Sequence, residues 1–240
     1  MAIQAQPVPI LQDNYAWMLL DTASGQRAIV DPADAGAIIE AVDAAGGRLD
    51  MILLTHHHDD HIAGVDAVRA RYGCAVVGAA ADRHRLPALD RAVVEGESVA
   101  LGDSAAEVID TPGHTRGHIS FAFPGVLLCG DTLFSLGCGR LLEGTAAEMF
   151  ASLRKLAALP AETLVCCGHE YTASNARFAV SVDPANAALR ARAEEVRRQR
   201  AEGHATVPTR IGAELAENPF LRAPDAARFA ELRQQKDNFR

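Results

Sequence analysis

The first two thirds of the chain is built from short apolar runs broken by turn residues. Residues 15–20 are apolar, stop at Asp21-Thr-Ala-Ser-Gly25 and resume at 28–30, which predicts a hairpin. Pro32 and Asp34 open a helix whose Ile38, Ile39 and Val42 share a face, and Gly46-Gly47 closes it. Residues 51–54 predict a short buried strand, and 62–72 a helix through Val65, Val68 and Tyr72. Residues 75–77, 93–101 and 108–109 read as extended. Pro124-Gly125 between the apolar runs 119–123 and 126–128 signals a second hairpin. Thr145-Ala-Ala-Glu148 is a capping box that starts a helix running through Leu156. Residues 164–167 predict a final strand.

Beyond residue 170 the strand signals stop. Residues 185–202 are rich in Ala, Glu and Arg, with Leu189, Ala193 and Val196 on one stripe, and 211–215 and 226–232 also have helical spacing. Charge changes at the same point. Residues 1–169 hold 11 basic and 21 acidic side chains, and 170–240 hold 12 and 10. The pattern places an α/β domain at 1–169 and a small helical domain at 170–240.

Composition narrows the function. The net charge is −8 and aromatics are 5%, so the chain lacks both the basic footprint and the stacking platform of a nucleic-acid binder. No basic region precedes an apolar stretch near the start, and no apolar run reaches membrane-spanning length. Five Cys, with no C-x-x-C pair, read as buried free thiols of a reducing compartment, which predicts a cytoplasmic protein. The nine His are uneven: seven of them, at 56, 57, 58, 61, 114, 118 and 169, fall in three short segments.

Those segments follow strands. Thr55-His56-His57-His58-Asp59-Asp60-His61, an H-x-H-x-D-H pattern, comes after the run 51–54. Asp110-Thr-Pro-Gly-His114-Thr-Arg-Gly-His118, Cys129-Gly-Asp131-Thr-Leu-Phe134 and Cys166-Cys-Gly-His169-Glu-Tyr171 each leave a strand as well, with a Gly beside the His or Asp. A lone His there would usually be a packed core residue, and a lone Asp a turn or cap. Four strand ends carrying such donors favour one shared metal site over four accidents. Imidazole and carboxylate donors suit zinc, iron or manganese, and the donor count is enough for two ions sharing a carboxylate.

Together H-x-H-x-D-H, T-P-G-H-T-x-G-H, G-D-T-L-F and G-H-E-Y-T resemble the metallo-β-lactamase superfamily, and within it the type II glyoxalases, the hydroxyacylglutathione hydrolases. Narrower matches are Gly137-Cys-Gly-Arg140, Glu143-Gly-Thr145, Gly168-His-Glu-Tyr171 and Asn218-Pro-Phe220, and the resemblance runs from Asp13-Asn14-Tyr15 to Lys236-Asp237. It implies an αββα metallo-β-lactamase sandwich followed by a small C-terminal helical domain. It implies two divalent ions, zinc first, with iron or manganese also found. One would be held by His56, His58 and His114, the other by Asp60, His61 and His169, with Asp131 between them. His118 and Asp31 would orient these ligands from behind. The attacking group would be a hydroxide supplied by the metal centre, with no separate protein nucleophile.

The implied substrate is a glutathione thioester, contacted by Arg140, Tyr171, Arg233 and Lys236. Leu142 stands where the family often carries an aromatic residue. The implied reaction takes S-D-lactoylglutathione and water to D-lactate and glutathione, the second step of methylglyoxal detoxification, in a monomer with no nucleic-acid or membrane partner. The nearest rival is a glutathione persulfide dioxygenase on the same fold, which needs one redox-active iron and is disfavoured by the seven-donor set. A metal-stabilised binding protein without catalysis is the rival from another class; no ligand position in the sequence is replaced to suggest it.

Overall fold

Alternate residues of β2 (Asn14–Asp21) enter two different cores, which shows how the layers arise. Tyr15, Trp17 and Leu19 point into one cluster, and Ala16 and Met18 into another. A strand whose two faces are both apolar must be covered on both sides. The computed structural model, which describes residues 2–239, meets this with two sheets packed face to face and helices on the outer faces.

The first sheet has the order β1 (Ile3–Ile10), β2, β3 (Arg27–Val30), β4 (Met51–Leu53), β5 (Ala75–Ala79), β6 (Arg91–Val93). The first three strands are antiparallel and the rest run parallel. Helices α1 (Ala35–Ala44) and α3 (Val65–Tyr72) cover its outer face through Ile38, Val42, Val65 and Val68. The short α2 (Asp59–Ile62) precedes α3. The second sheet has the order β14 (Thr209–Arg210), β13 (Leu164–Cys167), β10 (Val126–Gly130), β9 (Ile119–Phe123), β8 (Ser104–Asp110), β7 (Ser98–Leu101). A two-stranded hairpin, β11 (Leu133–Phe134) and β12 (Gly137–Cys138), leaves β10. The remaining helices are α4 (Ala146–Ala157), α5 (Thr172–Val182), α6 (Ala187–Ala201), α7 (Ile211–Glu217) and α8 (Ala226–Asp237). The αββα layering expected from the sequence is therefore present.

Several local expectations are corrected. The helix expected over 62–72 is broken between α2 and α3, because the chain passes against the β3–α1 loop at Gly64. A Cβ there would lie 2.4 Å from the Pro32 carbonyl oxygen. The extended run 93–101 is two strands in different sheets: β6 ends one, β7 begins the other, and Gly96 at φ +81 lets the chain cross. Strand β1 escaped the pattern because Pro7 and Pro9 interrupt it; as an edge strand it has a free side where missing N–H groups do no harm. Helix α5 was not foreseen. Nor was β14, which extends the second sheet from within the segment that shows no strand signal. The capping box of α4 is present, with Thr145 and Glu148 bonding each other's backbone.

The helices after residue 170 are not a detached unit. Phe178, Phe220, Phe229 and Leu232 join the same buried cluster as Met149, Leu153 and Leu156 of α4 and the inner faces of both sheets.

Candidate metal centre

Four strands deliver the clustered polar residues to one place. His56, His58, Asp60 and His61 follow β4, His114 and His118 follow β8, Asp131 follows β10, and His169 follows β13. Backbone hydrogen bonds fasten these exits together: Ile119 N–H to the Thr55 carbonyl at 2.9 Å, Gly168 N–H to the Gly130 carbonyl at 2.9 Å, and Tyr15 N–H to the Gly168 carbonyl at 2.8 Å. Gly168 is required by this crowding, since a Cβ would lie 2.5 Å from Asp131 Oδ1.

The first corner consists of imidazoles. His58 Nδ1 lies 3.1 Å from His56 Nε2 and 3.0 Å from His114 Nε2. Two of the outward nitrogens are already engaged: His114 Nδ1 with the Arg140 carbonyl at 2.9 Å, and His56 Nδ1 with Thr55 Oγ1 at 3.0 Å. The His114 bond fixes Nδ1 as donor, so the Nε2 lone pair faces inward. Burial first, then the neighbouring imidazoles, keeps His56 well below its ordinary pKa, and the same causes lower His58. Neutral imidazole is the metal-binding form.

The second corner is charged. His61 Nδ1 bonds Asp31 Oδ2 at 3.0 Å, and His169 Nδ1 bonds Asp13 Oδ1 at 3.0 Å. Their Nε2 atoms turn toward Asp60 Oδ2, at 3.8 and 3.5 Å. Asp131 lies between the corners: Oδ1 is 3.5 Å from His61 Nε2, and Oδ2 is 3.3 Å from His169 Nε2 and 3.5 Å from His114 Nε2. Burial opposes a charge on His61, but Asp131, Asp31 and Asp60 outweigh it and push the imidazole up to about 9. Burial likewise opposes ionisation of Asp131, yet His61, His169 and His114 hold its carboxyl well below the usual range.

This donor set fits divalent cations. Two triads, His56/His58/His114 and Asp60/His61/His169, bring one ligand atom from each residue within 4.8 Å of the others. His61 Nε2 and Asp131 Oδ1 are buried with no hydrogen-bond partner, an arrangement that costs roughly 1–3 kcal/mol per group unless something fills the space between them.

Of the two residues expected behind the ligands, Asp31 accepts from the Thr55 N–H at 2.9 Å and its hydroxyl at 2.6 Å as well as facing His61. His118 accepts the Asp131 N–H at Nε2, 3.1 Å, and meets Thr111 Oγ1 at 2.9 Å through Nδ1. Sequence reasoning gave no role to Asp13 and Asn14. Asn14 Nδ2 donates to the Asp60 carbonyl and to Asp60 Oδ2, both at 3.0 Å. Asn14 starts β2 with Asp13 just before it, and the tertiary bridge between Asn14 and His169 brings the pair to the site. His57 points away, into an ion cluster with Asp82, Arg85 and Glu143.

A cavity of about 410 Å³ opens from His114 and Asp131 and is lined by Phe134, Arg140, Tyr171, Ser174, Arg233 and Lys236 among others. The Tyr171 ring stacks on His169 at 4.5 Å. Its hydroxyl is held above its ordinary pKa by burial first and then by Asp13, Asp131 and Asp60. Lys236 Nζ donates to Ser174 Oγ at 2.8 Å. Arg233, expected to contact the substrate, lines the cavity but is 5% exposed, clasped by Asp237 and the Cys138 carbonyl, and laid over Phe220. Leu142 lies elsewhere, 59% exposed beside Arg85 and Arg116. A larger groove, about 960 Å³ between α5 and α6, is lined by alanines and arginines and lies apart from these donors.

Known proteins match this arrangement over the whole chain. Residues 10–169 match the metallo-beta-lactamase superfamily, and 170–239 match the hydroxyacylglutathione hydrolase C-terminus. A hydroxyacylglutathione hydrolase of Acidiphilium cryptum (strain JF-5) is 60% identical over 233 residues, covering 97% of this chain and 95% of the relative. One from Methylococcus capsulatus is 52% identical over 249 residues, covering 97% of each. Among solved structures, ETHE1 from Myxococcus xanthus superposes with a TM-score of 0.72 at 25% identity, covering 98% of this chain and 90% of that one. At this identity and coverage, the chain belongs to the hydroxyacylglutathione hydrolase family of the metallo-beta-lactamase superfamily.

Proposed function

We propose that the chain hydrolyses the thioester of S-D-lactoylglutathione, and of other S-2-hydroxyacylglutathiones, releasing the 2-hydroxy acid and glutathione. One observation carries this reading: seven metal-type donors from four strand ends converge at the mouth of a cavity whose far wall is cationic. His56, His58 and His114 would hold one ion, Asp60, His61 and His169 the other, and Asp131 would face both. Two divalent ions held there, zinc by preference, would supply an attacking oxygen at neutral pH and polarise the thioester carbonyl.

The chain's own residues do the rest. The two outermost cations of the wall, Arg140 and Lys236, face a substrate that carries two carboxylates. Tyr171, protonated and stacked on His169, offers a donor next to the metal corner. Arg233, with its guanidinium already engaged, holds the cavity wall in shape. Asp31, Asp13 and the Arg140 carbonyl fix the tautomers of His61, His169 and His114, so the lone pairs stay aimed inward.

We propose that residues 1–169 bear the metals and 170–240 the substrate wall, and that a monomer suffices, since one chain lines the whole cavity. Among the described residues no helix is long and apolar enough to cross a membrane. The five Cys are free and buried, which supports a cytoplasmic setting. The test is loss of thioester absorbance with S-D-lactoylglutathione, beside oxygen uptake with glutathione persulfide. Turnover of the first and none of the second is expected; the reverse would replace hydrolysis with the dioxygenase reaction.

A further inference from the structure

The hairpin of β11 and β12 is pinned by side chains from the last third of the chain. Its turn is Ser135-Leu136, and Leu136 sits at φ +57, a conformation that leucine resists because Cβ crowds the carbonyl. Every residue from Phe134 to Cys138 gives a backbone group to a side chain from beyond residue 170. Asn218 Nδ2 donates to the carbonyls of Phe134 and Gly137 at 3.2 and 3.0 Å. Asn175 Nδ2 donates to the Ser135 carbonyl at 3.1 Å, and Arg233 Nη1 to the Cys138 carbonyl at 2.8 Å. Leu136 donates its N–H to Glu214 Oε2 at 2.8 Å. All four of these side chains are buried. Asn218 also bonds Glu214 at 2.9 Å, and the Thr209 hydroxyl caps Glu214 at 2.8 Å.

Both ends of this hairpin run into metal-type ligands. Asp131 stands two residues before Leu133. On the return side Gly139 donates its N–H to the Thr132 carbonyl at 3.1 Å, and a Cβ on it would lie 1.9 Å from the Asp131 carbonyl oxygen. The next residue, Arg140, gives its carbonyl to His114 Nδ1. A displaced hairpin therefore moves Asp131 and His114 together.

We infer that Asn218 and Glu214 are positioning residues for the metal centre: they hold the 133–138 hairpin, and through it Asp131 and His114, at ligating distance. The C-terminal helices then set metal affinity as well as the substrate wall. This rests on the two-metal reading above.

The experiment is zinc affinity of chelator-stripped protein, by competition with a chromophoric chelator, in wild type, Asn218→Ala and Val42→Ala. Val42 is buried on α1, in the outer core away from the hairpin, so its truncation loosens the fold without touching the clamp. Asn218→Ala is expected to bind zinc about tenfold more weakly, as losing a ligand's orienting partner does. Val42→Ala should bind as wild type does. Asn218→Asp keeps the acceptor for the Phe220 N–H but loses the amide donors, and should match alanine. If Asn218→Ala does not fold, Asn175→Ala, which removes one bond of the clamp, is read the same way, with a loss of about threefold, the worth of one ordinary hydrogen bond. Unchanged affinity in the folded clamp variant overturns the inference. So does an equal loss in Val42→Ala, which would make the effect one of global stability. Fewer than two zinc ions in wild type would sink the two-metal reading first, and this inference with it.

Discussion

The strand ends that carry the metal-type donors and the cationic wall face each other across one cavity, and they are built on opposite principles. His56, His61, His114, Asp131 and His169 are all buried, and the outward Nδ1 of each of these four imidazoles has a partner that fixes its orientation. The wall presents Arg140 and Tyr171, both exposed, and a half-buried Lys236, tied by few bonds. The ligands need orientation held to a fraction of an ångström, which strand ends provide. The wall needs charge within reach of flexible carboxylates, which long side chains provide, Arg140 from the loop after β12 and Lys236 from α8. Damage should follow the same division: loss of chemistry on one side, loss of affinity on the other.

The largest effect is expected from His58→Ala, which removes a nitrogen that meets both His56 and His114. Metal content should fall by about one ion, and kcat/KM by ~10³-fold or more, the several kcal/mol a metal contributes. Elemental analysis with the thioester assay checks it; a full metal load would show that His58 is not a ligand. Next is Asp31→Asn. Asparagine tolerates the φ of +52 at this position, but the neutral side chain no longer supports His61. Metal affinity should drop by roughly 10–100-fold, measured by chelator competition. An unchanged value would leave His61 oriented by something other than Asp31.

How much of this division could be read from the residues follows its physics. His56, His58 and His61 were legible from the H-x-H-x-D-H spacing after a strand, and His114, Asp131 and His169 from a Gly beside the donor at a strand end, both of them local signatures. Asp13 and Asn14 carry no such mark, because what brings them to His169 is pairing across the two sheets. The two-sheet split at Gly96 was hidden for the same reason: an extended run looks alike whichever sheet it joins. On the wall, i,i+3 spacing put Arg233 and Lys236 on one helix face, but spacing does not show what a head group already holds. Asp237 and the Cys138 carbonyl occupy Arg233, and this leaves Lys236 the freer cation.

On the wall side, Lys236→Ala should raise KM about tenfold with kcat nearly unchanged, the loss of one charged hydrogen bond to a remote part of the substrate. Steady-state kinetics decide it, and equal falls in kcat and kcat/KM would place Lys236 at the reacting centre. The smallest effect is one of pH. Lys236 is pushed down to about 8, by burial first and then by Arg233, Arg177 and Arg140, with Asp237 opposing. A lysine carries its charge below its pKa, so KM should rise by a few-fold as pH passes upward through about 8. In Lys236→Ala that rise should vanish; if it persists, another group titrates.

The most direct test is stepwise addition of zinc to chelator-stripped protein, with bound metal and hydrolysis of S-D-lactoylglutathione followed together. Turnover should climb with metal and level off at two ions per chain. Two bound ions with hydrolysis no faster than background would contradict a dinuclear thioesterase centre at these strand ends.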